Sequence, residues 1–372
     1  MRKNKLLLLI FLIPLLAGCW DERLLRDIRT VYLTGFDIND KDEYTFTAVV
    51  RNFTISQSNR GERSVYNELI SSKGESIREA SLSVDRKIAG TFDPAKGRTI
   101  ILGEAVGEKN LYNVLDSIYR DPRVNVNSKI AITDGSAEQL IQHLAEVEMQ
   151  KAEYFYDMID SSEEFTEAPV ITLRTIFSYL FDEGRDFFIP YFTMDQEENI
   201  VQLKGSALYK DQNFTGEFLS IQETTLLLLL MDKRSQRAIL TNRLDSESVD
   251  NVSISYNVKD VSRELDIEKK DKVHIHISLD LGVNVVDYPP DDLENQDTIN
   301  HLNKQLSWLL TKESELLLQK LADNQSDILG LGKELIAYYP SIWEEIKGEN
   351  YYNEIVVHPE VKVSINGSGI IF

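Results

Sequence analysis

The sequence predicts an α+β protein, three mixed α/β domains carried behind a lipoprotein-type signal peptide. Three observations lead there. Strand-length runs alternate with helix-period runs from residue 30 to about 190, a hairpin pattern and a short apolar helix fill about 195–240, and long strands followed by long helices occupy the rest. The implied divisions are 1–18 for the signal, 19–195 for the first domain, 196–245 for a small middle domain and 246–372 for the last.

The signal comes first. Arg2, Lys3 and Lys5 precede an apolar stretch from Leu6 to Leu16, the charged and apolar regions of an export signal. Eleven residues rise only about 16 Å as a helix, against about 30 Å of hydrocarbon, so the segment is too short to be a retained membrane span. Leu16-Ala17-Gly18-Cys19 then reads as the recognition box of the lipoprotein signal peptidase. Cys19 is the single cysteine of the chain, so no internal disulfide can form. Lipid attachment at its sulfur turns an exposed thiol into a thioether anchor, and stable anchoring takes about two acyl chains at about 0.8 kcal/mol per buried methylene.

Along the mature chain, Arg29 to Phe36 and Tyr44 to Phe53 read as strands around the turn at 37–42, and Val65 to Ser71 as a third. Ser76 and Glu79 have capping-box spacing ahead of a helix whose Ile77, Ala80, Val84 and Ile88 share one face. Arg98 to Gly103 is a buried-strand run, Leu111 to Tyr119 a helix stopped at Asp121-Pro122, Lys129 to Thr133 a strand, and about Ser136 to His143 a helix. The acidic stretch Asp160 to Glu167 reads as an exposed loop. Val201 to Tyr209 and Phe214 to Leu219 form the expected hairpin, and Leu226 to Met231 a buried helix too short to cross a bilayer. Val252 to Val258 and Val273 to Val286 are long strands. A helix from about Thr298 to Leu321, a second from Asp327 to Tyr338 and a strand at Val361 to Ile365 complete the chain.

Charge narrows the function classes. Losing residues 1–18 removes three positive charges, so the net charge of -21 becomes -24. Nucleic acid needs a basic footprint and is excluded as a partner. An anionic membrane surface would also repel this body, leaving the lipid as the attachment and proteins or small molecules as partners.

No motif carries catalysis. Gly330-Leu331-Gly332-Lys333 lacks the earlier glycine and the Ser or Thr of a phosphate loop, and reads as a tight helix start or close helix packing. His274 and His276 alternate on one strand face, a surface pair with no third ligand at a diagnostic spacing. Asp287, Asp291, Asp292, Glu294 and Asp297 lack the central glycine of a calcium loop and read as a solvated turn. The sequence therefore assigns no catalytic residue and no metal ligand. Its one modification residue is Cys19, and the ligand-binding residues stay unknown.

Four groups of residues carry a resemblance. They are Gly18-Cys19-Trp20-Asp21; Gly74-Glu75-Ser76-Ile77-Arg78-Glu79-Ala80 with Ile101-Leu102-Gly103-Glu104-Ala105; Gly205-Ser206-Ala207-Leu208-Tyr209-Lys210; and Asp327-Ile328-Leu329-Gly330-Leu331-Gly332 with Tyr339-Pro340-Ser341-Ile342-Trp343. In this order they resemble the Ger(x)C family, the lipoprotein C subunits of nutrient germinant receptors in endospore-forming bacteria. The resemblance implies a three-domain body without enzymatic activity. It would act in germination beside two integral-membrane subunits, A and B, on the outer face of the spore inner membrane. Its only non-protein group would be the covalent diacylglycerol and N-acyl lipid on Cys19. The alternative is a lipid-anchored substrate-binding protein for a transporter, which calls for two similar lobes around a cleft. Trp343, Tyr339 and Leu329 are expected to pack the helices of the last domain.

Overall fold

A computed structural model describes residues 28–55, 63–147, 153–195, 197–198, 200–244, 252–348 and 350–368. The signal segment 1–18, Cys19 and the Trp20-Asp21 pair lie outside the described residues. The architecture is α+β, as the sequence predicts, and is built on two sheets.

The first sheet grows from β1 (Ile28–Ile38) and β2 (Tyr44–Ile55), antiparallel with Ile38 opposite Tyr44. Asn39 closes the turn between them, its Oδ1 accepting from the amides of Lys41 and Glu43 at 2.9 and 3.0 Å. β3 (Arg63–Gly74) pairs with β2. The expected cap opens α1 (Ile77–Asp85): Ser76 Oγ accepts from the Glu79 amide at 3.2 Å, while the Glu79 carboxylate reaches the Glu75 amide, one residue earlier than a standard capping box. A short strand β4 (Thr91–Asp93) runs parallel to the start of β1, and β5 (Thr99–Gly103) runs parallel to its later half. After α2 (Glu104–Gly107) and α3 (Leu111–Tyr119), β6 (Lys129–Thr133) joins β5 in parallel. Every residue of β5 and β6 is buried, which is why these strands read as continuous rather than alternating apolar runs.

Next come α4 (Ala137–Val147), α5 (Tyr154–Glu164), α6 (Leu173–Leu180) and β7 (Phe188–Asp195), which lies parallel to β6. Helices α1, α3 and α6 pack on one face of the sheet, and α4 and α5 on the other. The stretch 160–167 corrects the loop reading: residues to 164 are the last turn of α5, and Glu163 is only 6% exposed. Acidic composition pointed to solvent, but a buried Lys129 draws Glu163 inward.

The segment 196–245 departs from the expected middle domain. β8 (Ile200–Lys210) and β9 (Asn213–Ser220) form the expected hairpin, yet β8 pairs with β7 and so extends the first sheet, whose order is β3-β2-β1-β5-β6-β7-β8-β9. α7 (Ile221–Leu230) joins the second core instead. Its Leu226 to Leu230 are all buried, because apolar surface from both sheets meets them, and a helix buried all round shows no apolar stripe. No helix among the described residues is long and apolar enough to cross a membrane.

The second sheet runs β10 (Ile239–Leu244), β11 (Val252–Lys269), β12 (Val273–Asp287) and β13 (Ile355–Ser368), with β13 parallel to β12. Its inner face alternates Val273, Ile275, Ile277, Leu279, Leu281, Val283 and Val285 against α8 (Gln296–Asp323). The edge strand β13 is sealed by polar residues of α8 spaced four apart. Asn303, Ser307 and Thr311 accept the amides of Ile365, Val363 and Val361 at 2.9, 2.8 and 3.0 Å. α9 (Leu331–Tyr338) starts four residues later than expected, because Asp327 to Gly330 form a turn. α10 (Pro340–Ile346) follows, and Trp343 and Leu329 are buried in the same core with Tyr339 packed against it.

Candidate functional site

The most elaborated polar cluster lies where the two sheets meet, and the Asp327 to Gly332 motif builds half of it. Ahead of β7, Asp186 points its carboxylate across the junction. Oδ2 accepts from the Asp327 amide at 2.7 Å, and the Asp186 amide donates to the Asp327 carbonyl at 2.9 Å. Its Oδ1 accepts from the amide of Asp211, in the β8–β9 turn, at 2.5 Å. The side chain of Asp327 turns the other way, onto the start of α9. It accepts from the amides of Leu331 and Gly332 at 2.9 and 2.7 Å, and from the Tyr351 hydroxyl at 2.8 Å. A carboxylate here covers two of the free amides at a helix start and sits well with the helix dipole.

The glycines follow from the same geometry. Gly330 has φ +71, a left-handed turn that frees the chain to enter α9. Gly332 lies so close to Gly184 that a Cβ on it would stand 2.7 Å from the Gly184 Cα. That approach lets the Lys333 amide donate to the Gly184 carbonyl at 2.9 Å, while the Lys333 ammonium pairs with Asp182. Ser326 adds a hydrogen bond from its Oγ to the Tyr209 carbonyl at 2.6 Å. The expected reading of this motif as tight helix start and close packing holds. The place a phosphate would take at the helix N-terminus is filled by the chain's own Asp327.

Burial dominates the electrostatics. Asp327 is fully buried and its carboxyl is pushed up to about 6, against the pull of its hydrogen bonds. Asp186 is pushed up to about 7 by burial first, with the nearby Asp327 and Asp211 charges acting in the same direction. Every oxygen of both carboxylates has a donor, so the cluster is a clasp between the two sheets rather than a reactive centre.

The other candidates sit elsewhere. His274 and His276 face outward from β12 and meet a third histidine that spacing alone does not reveal, His358 on β13. His274 Nδ1 and His358 Nε2 are 3.0 Å apart, and the His276 and His358 rings stack at 4.7 Å. His358 is held below its ordinary pKa by desolvation and then by the other two imidazoles. Among the described residues no group of three or more His, Cys, Asp or Glu side chains could hold a metal ion. Asp287, Asp291, Asp292, Glu294 and Asp297 are exposed. Two of them serve α8: Asp292 accepts from Thr298 Oγ1 at 2.7 Å, and Asp297 lies in the first turn, its amide capped by Asn295.

Comparison with known proteins accounts for this plan. The model of the spore germination protein N-terminal domain matches residues 21–194, and that of the spore germination B3/GerAC-like C-terminal region matches residues 204–369. The clasp therefore joins Asp186 of the first matched region to Asp327 of the second. Spore germination protein GerQC of Bacillus cereus is 22% identical, covering 98% of both chains. Spore germination protein KC of Bacillus subtilis (strain 168) is also 22% identical, covering 98% of this chain and 95% of that one. The crystal structure of the GerBC protein superimposes with a TM-score of 0.57 at 16% identity, over 93% of this chain and 100% of that one. Two matches in tandem, spanning most of the chain, and a shared fold make this chain a member of the GerAC-like spore germination protein family.

Proposed function

We propose that this chain is a lipid-anchored, non-catalytic subunit of a nutrient germinant receptor, acting in germination through contacts with integral-membrane A and B subunits. The observation that carries the reading is the tandem family match, which begins at residue 21, two residues after the lipobox cysteine. Diacylglycerol and an N-acyl chain on Cys19 would hold the body on the outer face of the spore inner membrane. Eight residues separate Cys19 from Ile28, and the nine steps reach at most about 32 Å. Such tethering raises the effective concentration of the body beside membrane-bound partners without any strong single contact. The two sheets also differ in size, strand direction and helical cover, which disfavours a transporter-type binding protein with two similar lobes.

The test compares the native chain with Cys19→Ala in spores. Membrane fractionation, mass spectrometry of the mature N-terminus and co-purification of membrane subunits are read together. The native chain is expected in the membrane, acylated and with its partners, and the variant in the soluble fraction without them. An unmodified thiol on a freely soluble native chain would overturn the reading.

A further inference from the structure

The seal along the edge of β13 lapses before the strand does. Four residues of helix advance about 6 Å and two of strand about 6.6 Å, so the series Asn303 with Ile365, Ser307 with Val363 and Thr311 with Val361 should continue as Glu315 with Pro359 and Gln319 with Val357. It does not continue. Pro359 has no amide to offer, the Glu315 carboxylate takes the Lys312 ammonium at 2.6 Å, and the Gln319 side chain donates to Asp323 at 2.7 Å. A groove of about 510 Å³, open to solvent, lies between helix and strand from there on.

Its backbone edge is unused. The alternation that turns the Val361, Val363 and Ile365 amides toward α8 turns the Val357 amide and carbonyl the same way, and among the described residues no hydrogen bond reaches either. Ile355 gives its amide to the Tyr352 carbonyl and Pro359 has none. The open edge therefore suits about three residues of extended chain, roughly 10 Å, rather than a long ladder. Leu318, Ala322 and Ile355 supply apolar surface to the groove. Its charge has one sign: of the lining residues, Glu315 and Asp323 alone are charged at neutral pH, and both are exposed. The exposed pair of Glu315 with Lys312 is one that a competing cation can displace. With a net charge of -21 the chain repels a second copy of itself and attracts a cationic segment.

We propose that the groove docks a short extended segment of a basic partner protein by strand addition. The segment's backbone bonds Val357, its apolar side chains meet Leu318 and Ala322, and its ammonium or guanidinium groups meet Glu315 and Asp323. The proposal deepens the receptor-subunit reading and rests on it for the existence of a protein partner. Its test uses no membrane subunit, so the two can fail separately.

The full chain, in a neutral detergent, is titrated calorimetrically with a blocked pentapeptide of alternating lysine and valine, with the same peptide carrying glutamate for lysine, and with the lysine peptide N-methylated at its three central residues. The lysine peptide is expected to bind one to one, with a Kd below about 1 mM, and the other two at least about tenfold more weakly. Glu315→Lys combined with Asp323→Lys, both at exposed positions, is expected to weaken the lysine peptide about tenfold or more while the melting transition stays cooperative. Absence of lysine-peptide binding up to about 10 mM, or binding that the double variant leaves unchanged, would overturn the proposal. So would a glutamate or N-methylated peptide that binds as tightly as the lysine peptide, because the first ignores the acidic rim and the second cannot bond the strand edge.

Discussion

Replacing Asp327 by alanine removes one acceptor from three donors at once: the amides of Leu331 and Gly332 and the hydroxyl of Tyr351. Leu331 and Gly332 are buried, so their amides cannot turn to water, whereas the half-buried Tyr351 partly can. A buried donor left alone costs about 1–3 kcal/mol, which gives about 2–6 kcal/mol for the two amides. Removing a carboxyl that burial already disfavours returns part of this, so a net loss of about 3 kcal/mol is expected. Against a total of about 5–15 kcal/mol, a loss of that size moves a urea midpoint clearly. Hydrogen exchange should localise it. The Asp186 and Lys333 amides, which bond across the junction, should exchange faster, while amides inside β12 keep their protection. Tyr351→Phe alone should cost about 1 kcal/mol, and nothing further when combined with Asp327→Ala, because the bond it removes is already gone. A loss below about 1 kcal/mol for Asp327→Ala, or protection lost evenly over both sheets, would refute the clasp.

Other expectations follow from the same geometry. Gly332→Ala places a methyl 2.7 Å from the Gly184 Cα and 2.9 Å from a Tyr351 ring carbon, so it should cost about 1–3 kcal/mol or more by denaturant titration. Combining Ser307→Ala with Thr311→Val leaves the Val363 and Val361 amides without acceptors at a sheet edge. It should cost about 1 kcal/mol per bond and speed aggregation, measured by light scattering. The clasp carboxyls have folded values of about 6 and about 7, above the unfolded value of 3.8. Their contribution is thus fully present below pH 3.8 and is lost as pH rises through 6 and 7. The double variant Asp186→Asn with Asp327→Asn should flatten that part of the stability profile relative to the native chain, and an unchanged profile would show that these groups do not titrate there.

Local pattern reached far into this chain. Apolar period and turn chemistry placed β12, the first seven of the 18 residues of β11, the capped helix after Ser76 and the long helix after the acidic turn, because each of those signals acts within a few residues. They failed where distant chain met local chain. Glu163 sits in an acidic run that looks solvated until Lys129, thirty-four residues away, appears beneath it. The hairpin at 200–220 looks like a separate unit until β7 supplies its neighbour, and Leu226 to Leu230 show no face because two sheets cover them.

The sequence by itself determined the α+β character, the single cysteine, the lack of a phosphate loop and the unusual Asp-Ile-Leu-Gly-Leu-Gly motif. Only the tertiary structure decided what that motif is for. Asp327 needs Asp186 and Tyr351, and Gly332 needs Gly184, partners 24 to 148 positions away that no local periodicity can announce.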